Sequence, residues 1–155
     1  MRINLFAIVY IIIVAIGCQQ PEESTDTSKA EEELLTIIEQ IWVDAVSGDL
    51  QALRDIHLND PRFSKFGPRI PTRQDVTSTN ESETEHFSMI SNASFDIEDI
   101  KVDVFGDVAV TTFYNNYSFI KNNSRVQGKG RVTLVFLNTE EGWKIIHEHS
   151  SPFNP

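Results

Sequence analysis

The chain has 155 residues, with 13 Lys and Arg against 23 Asp and Glu, for a formal net charge of -10. That length suits one domain rather than two, and so acidic a surface argues against nucleic acid or an anionic lipid headgroup layer as a partner. The single cysteine, Cys18, rules out an internal disulfide and a thiolate metal cluster.

Residues 1–17 place Arg2 ahead of an apolar run, Ile3 to Ile16, interrupted only by Asn4 and Tyr10. The run falls short of the roughly 18 apolar residues that span a bilayer comfortably, as a signal peptide does. Its end, Ala15-Ile16-Gly17-Cys18, resembles the lipobox of bacterial lipoproteins, although leucine is more usual than Ala15 there. The resemblance implies a lipid on Cys18, a membrane attachment, and a place in the bacterial cell envelope, on the outer membrane or periplasmic face. A short membrane anchor with an incidental cysteine is the alternative. Residues 18–30 are polar, carry a proline, and are expected to form a flexible tether; residues 31–155 then form the domain.

The domain begins with a helix over Ala30 to Ser47, where Leu34, Ile37, Ile38, Ile41 and Ala45 recur at helical spacing and Leu35, Trp42 and Val46 widen the apolar face. Gly48 stops it, and Asp49 caps a second helix from Leu50 to about His57, whose imidazole is expected to cap the helix end. A short strand with Phe63 and Phe66 follows, then a proline-broken loop. A third helix is expected over Asn80 to Asn92, with Phe87, Ile90 and His86 inward and Glu81, Glu83 and Glu85 in water.

From Ala93 the period changes to two. Strands are expected up to Phe105, with an irregularity near Glu98-Asp99, then over Val108 to Lys121, Ser124 to Asn138, and Gly142 onward. Turns fall at Gly106-Asp107, Asn122-Asn123 and Thr139 to Gly142. Strict alternation on the last strand puts Trp143, Ile145, His147 and His149 on one face, a wall grading from greasy to polar.

Helix, helix, strand, helix and a meandering sheet is the element order of the cone-shaped nuclear transport factor 2-like fold. The stretch GKGRVTLVF…EEGWKIIHEHSSPF resembles the C-terminal signature of its SnoaL-like members and is similar to the association domain of calcium/calmodulin-dependent kinase II. Those domains share an arginine on the penultimate strand, here Arg131, and a Trp-x-x-x-His-x-His-x-Ser run, here Trp143, His147, His149 and Ser151. The resemblance implies an α+β fold with N-terminal helices packed on a curved antiparallel sheet, and a homodimer through the sheet's outer face. It does not single out a reaction, because the fold hosts both enzymes and binding modules.

The expected ligand site joins Trp42, Phe66, Tyr114, Arg131, Trp143 and His149 around a small, partly apolar, anionic molecule, with Arg131 as its bidentate partner. Arg131 reads equally as a structural salt-bridge partner. An isomerase, cyclase or dehydratase is the alternative function, with His147 or His149 moving a proton. The two histidines lack an evident third ligand for a metal, no cofactor motif is present, and the acidic residues offer no obvious catalytic pair.

Overall fold

A computed structural model describes residues 25–153. The first helix, α1, is Thr25–Ser47, so the end of the expected tether is already helical. Cys18 and the apolar run before it, with the expected signal peptide and lipidation site, lie outside the described residues. Among the described residues, no helix is long and apolar enough to cross a membrane. Leu34, Ile38 and Ala45 are buried, and Ile37, Ile41 and Trp42 pack beside the core. Leu35 and Val46, expected on the same face, are instead 36% and 50% exposed, because they fall at the edges of the stripe. Gly48 ends the helix in the left-handed region at φ +80. Asp49 caps α2, Leu50–Asp55, its carboxylate accepting from the Ala52 N–H at 3.1 Å.

β1 is only Ser64–Phe66, with Phe63 buried just ahead of it. The third helix, α3, runs Val76–Ser88, ahead of the segment expected from sequence. Its start is fixed by Asp75, whose carboxylate accepts from the Ser78 N–H at 2.8 Å while Ser78 Oγ accepts from the Asp75 N–H at 3.0 Å. A capping box closed by serine rather than glutamate is hard to see inside a run of Ser and Thr. Ile90, expected on the helix, opens β2 (Ile90–Phe105) instead.

β3 (Val108–Lys121), β4 (Ser124–Thr139) and β5 (Gly142–Pro152) complete a sheet of order β1-β5-β4-β3-β2. β1 pairs parallel with β5, and every other pair is antiparallel. This is the α+β, nuclear transport factor 2-like arrangement expected. Alternation places Ala109, Phe113, Val132, Leu134, Phe136 and Ile145 on one sheet face, where they close the core with α1.

Three irregularities break the alternation. β2 slips between Ser91 and Ser94, with Asn92 at φ +49, and again between Glu98 and Lys101, with Asp99 at φ +52, where the sequence suggested it. β5 carries the third: Phe136 pairs with Ile145 but Val135 pairs with His147, leaving Ile146 as an extra residue. A bulge of this kind reverses the facing of everything beyond it relative to strict alternation. Trp143 and Ile145 therefore face the core, whereas His147 and His149 lie with Val135 and Thr133 on the outer face. The expected four-residue wall does not form. Glu148 and Ser150 take the inward positions instead.

Candidate functional site

Between the three helices and the inner sheet face lies a cavity of about 360 Å³. Its apolar walls include Trp42 from α1, Phe87 from α3, Phe95 from β2, Phe119 from β3 and Leu134 from β4. A few polar side chains converge on it, each placed by a local rule. Lys65 sits two residues after the buried Phe63 and so points inward. Glu83 and His86 stand three apart on one side of α3. Glu148 is turned in by the bulge. His57 follows α2 and is pinned beside β5 by the Ile145 N–H bonding Ile56 O at 2.8 Å and the Leu58 N–H bonding Ile145 O at 2.9 Å.

Four of these groups form a buried charge cluster. The Lys65 ammonium donates to Glu148 Oε1 at 2.7 Å and to Glu83 Oε1. His57 Nε2 lies 3.8 Å from Glu148 Oε2, while its Nδ1 meets Asn80 Oδ1 at 3.0 Å. With Nδ1 donating to that oxygen, a neutral ring would turn a lone pair toward the Glu148 carboxylate, so a second proton is favoured. Burial alone pulls the His57 pKa down, but Glu148 and the charge of Glu83 outweigh it and raise it. Burial likewise opposes the Lys65 ammonium, and the Glu148 and Glu83 charges reverse the balance, raising its pKa. Burial pushes Glu148 up, yet Lys65 and His57 hold it at about 2. His57, Glu83 and Glu148 present ligand atoms within 4.8 Å of one another, a spacing suited to a metal. Lys65 already bonds two of the three and supplies the positive charge there.

His86 is different. It is buried between the rings of Phe87 and Phe119, at centroid distances of 5.3 and 5.4 Å. Burial, then the charges of Arg69, Lys121 and Lys65, push its pKa to about 4, so the ring is neutral. Its Nδ1, together with Trp42 Nε1 and Asn115 Oδ1, is buried with no hydrogen-bond partner among the described residues. All three residues line the cavity.

The family model of the SnoaL-like domain matches residues 34–155. The chain belongs to the SnoaL-like domain family. A candidate dehydratase of the nuclear transport factor 2-like family from Streptomyces avermitilis is 20% identical with a TM-score of 0.75, over 83% of this chain and 99% of that one. A nuclear transport factor 2-like superfamily protein from Salmonella enterica gives 18% and 0.75, over 83% and 94%. The hub homology domain of the Chlamydomonas reinhardtii calcium/calmodulin-dependent kinase II gives 19% and 0.66, over 81% and 99%. At these identities the likeness is one of fold. No curated protein matches the chain.

In this SnoaL-like domain, the residues singled out in the sequence separate into two groups. Trp42 lines the cavity. Trp143 is core, 4% exposed, on the inner face but away from the cavity lining. Tyr114 and Arg131 are cross-strand partners on the outer face. There Tyr114 packs on Phe153 at 5.2 Å, and Arg131 Nη2 donates to Pro152 O at 3.3 Å. Phe66, 43% exposed, sits 6.2 and 6.5 Å from the rings of His147 and His149, also outside. His147 Nδ1 meets Ser64 Oγ at 2.9 Å. The six expected ligand contacts therefore do not converge on one pocket: the bulge at Ile146 turns His149 outward, and alternation on β1, β3 and β4 puts Phe66, Tyr114 and Arg131 on the outer face as well.

His86 is inward as expected; the inner residues not expected there are Lys65, Glu83, Asn115 and Glu148. Signals for three of them are present in the sequence. Period two from Phe63 brings Lys65 in, and helical spacing from His86 brings Glu83 in, correcting the expectation that it faces water. Asn115 alternates with Phe113 on β3. His57 belongs to the charge cluster rather than to the end of α2. Glu148 carries no such signal, since a single-residue bulge has no mark in an otherwise regular strand.

Proposed function

We propose that this SnoaL-like protein is a non-catalytic binding module that holds a small, partly apolar, anionic molecule in the inner cavity. The observation that carries the reading is the trio of unpartnered buried polar atoms on Trp42, His86 and Asn115, set in largely apolar walls. Leaving such an atom unsatisfied costs about 1–3 kcal/mol, and a ligand with matching donors and acceptors removes that cost. The cavity volume suits a small organic molecule. Arg69 lines it and makes no ion pair among the described residues, which supplies an attraction for an anionic end.

The charge cluster supports binding over catalysis. Lys65 is raised and Glu148 is lowered, both away from neutrality, whereas an acid or base that turns over is tuned toward it. The second reading is an enzyme of the isomerase, cyclase or dehydratase type. It is favoured by His86, a neutral cavity imidazole with a free nitrogen, and by the dehydratase assignment suggested for the Streptomyces relative. His147 and His149 would serve such a reading only from the outer face.

The wider proposal places the domain at the bacterial cell envelope through a lipid on Cys18. It also pairs two copies through the outer sheet face, which carries Phe66 beside His147 and His149 and Tyr114 packed on Phe153. Native mass spectrometry of the full chain tests the pairing and the cavity. A dimer that retains one small molecule per chain supports the reading, as does loss of that mass in Trp42→Ala. A monomer contradicts the pairing, and a retained mass indifferent to Trp42 contradicts the cavity.

A further inference from the structure

We propose that His86 forms a carboxylate subsite at the cavity wall, and that an acidic ligand entering it brings a proton onto the His86 ring. The inference rests on the cavity being the binding site and adds where the acidic end sits and what accompanies it.

Charged groups from several elements face the His86 imidazole. Lys65 from β1, Arg69 from the following loop and Lys121 from β3 all bear on it as cations. Glu83 of its own helix shares the cavity but is bonded to Lys65, and Glu148 of β5 is engaged by Lys65 and His57. Arg54 of α2 reaches Thr84 at 2.8 Å instead. Arg69 and Lys121 make no ion pair among the described residues. The balance of charge around His86 is thus positive, with two cations uncommitted and a buried ring nitrogen lacking a partner.

An empty site of this kind keeps the ring neutral, because a proton would add a buried charge beside existing cations. A carboxylate reverses both terms. It screens Arg69 and Lys121, and it offers an acceptor to an N–H on the ring, so the imidazolium becomes the favoured partner. Atoms balance simply: one proton leaves solvent and binds the ring, no bond in the ligand breaks, and the pair leaves together on release. Linkage then requires that affinity for the acid rise as pH falls, by up to about tenfold per unit, across the window between the free and bound pKa values. A neutral ligand of the same shape has no such dependence.

Calorimetry on the full chain tests this with 4-phenylbutyrate as the probe and 4-phenylbutanamide as its neutral isostere. Titrations near pH 6 in two buffers of different ionisation enthalpy count the protons exchanged. The expected result is an uptake of about half to one proton per carboxylate bound, no uptake with the amide, and, in His86→Gln, weaker carboxylate binding from which the uptake is gone. Carboxylate binding without proton uptake overturns the inference and leaves the cavity reading intact. So does the same uptake in His86→Gln, which would assign the proton to His57, and so does binding of the amide alone. Failure of both probes to bind overturns the subsite together with the cavity reading.

Discussion

Replacing Lys65 by Met removes the only cation bonded to both Glu83 and Glu148 among the described residues while roughly keeping the side-chain volume. Lys65 is 5% exposed, and the Glu83 and Glu148 side chains are 14% and 15% exposed, so water cannot take over its role cheaply. Removing one partner of a buried charge group costs about 3–5 kcal/mol, a large part of the roughly 5–15 kcal/mol that holds a domain folded. The pH dependence carries the sharper signature. In the native protein Glu148 sits at about 2 against an ordinary 4.5, so the unfolded chain takes up that proton first. Its contribution is present above pH 4.5 and is lost as pH falls toward 2. In Lys65→Met two facing carboxylates cannot both stay ionised, so stability rises as pH falls from 8 to 5. Urea unfolding followed by tryptophan fluorescence at several pH values measures both effects. A loss below about 1 kcal/mol, or a pH profile parallel to the native one, would refute the reasoning.

Three further outcomes follow from the same geometry. In Lys65→Met the ligand atoms of His57, Glu83 and Glu148, all within 4.8 Å, lose the ammonium that neutralises them; zinc should raise the melting temperature of that variant by several degrees and leave the native chain unmoved. His86 sits at about 4 against an ordinary 6.5, so the unfolded chain is protonated first and native stability declines as pH falls from 6.5 to 4; His86→Phe should flatten that part of the profile, read from the same unfolding curves. Gly128→Ala would bring a Cβ to 2.6 Å from the Tyr117 hydroxyl and 2.8 Å from its ring carbon; a cost of about 1–3 kcal/mol is expected, relieved when Tyr117→Ala is added.

The fold was legible because its signals are local and regular. Leu34, Ile38 and Ala45 mark α1 by spacing, Gly48 and Asp49 punctuate it, and Asn122-Asn123 at φ +51 and +59 mark the hairpin between β3 and β4. The site was far less legible. Its floor depends on which face Glu148 presents, and one unpaired residue, Ile146, decides that through long-range register with β4. α3 begins ahead of its expected start because its serine-closed cap is weak in sequence, whereas Glu83, three residues before the inward His86, was within reach of helical spacing. Arg131 drew attention as a charge among apolar neighbours, but those neighbours alternate, and the outer face leaves its guanidinium in water.

Ligand entry into the inner cavity rather than onto the outer sheet face is reported directly by the two tryptophans of the chain. Trp42 lines the cavity with an unpartnered indole N–H, while Trp143 lies in the core away from it. Titrating 4-phenylbutyrate into the nitrogen-15-labelled chain should move the Trp42 indole resonance saturably and leave that of Trp143 in place. A stationary Trp42 resonance, with saturable shifts at Tyr114, Arg131 and His149 instead, would contradict the account.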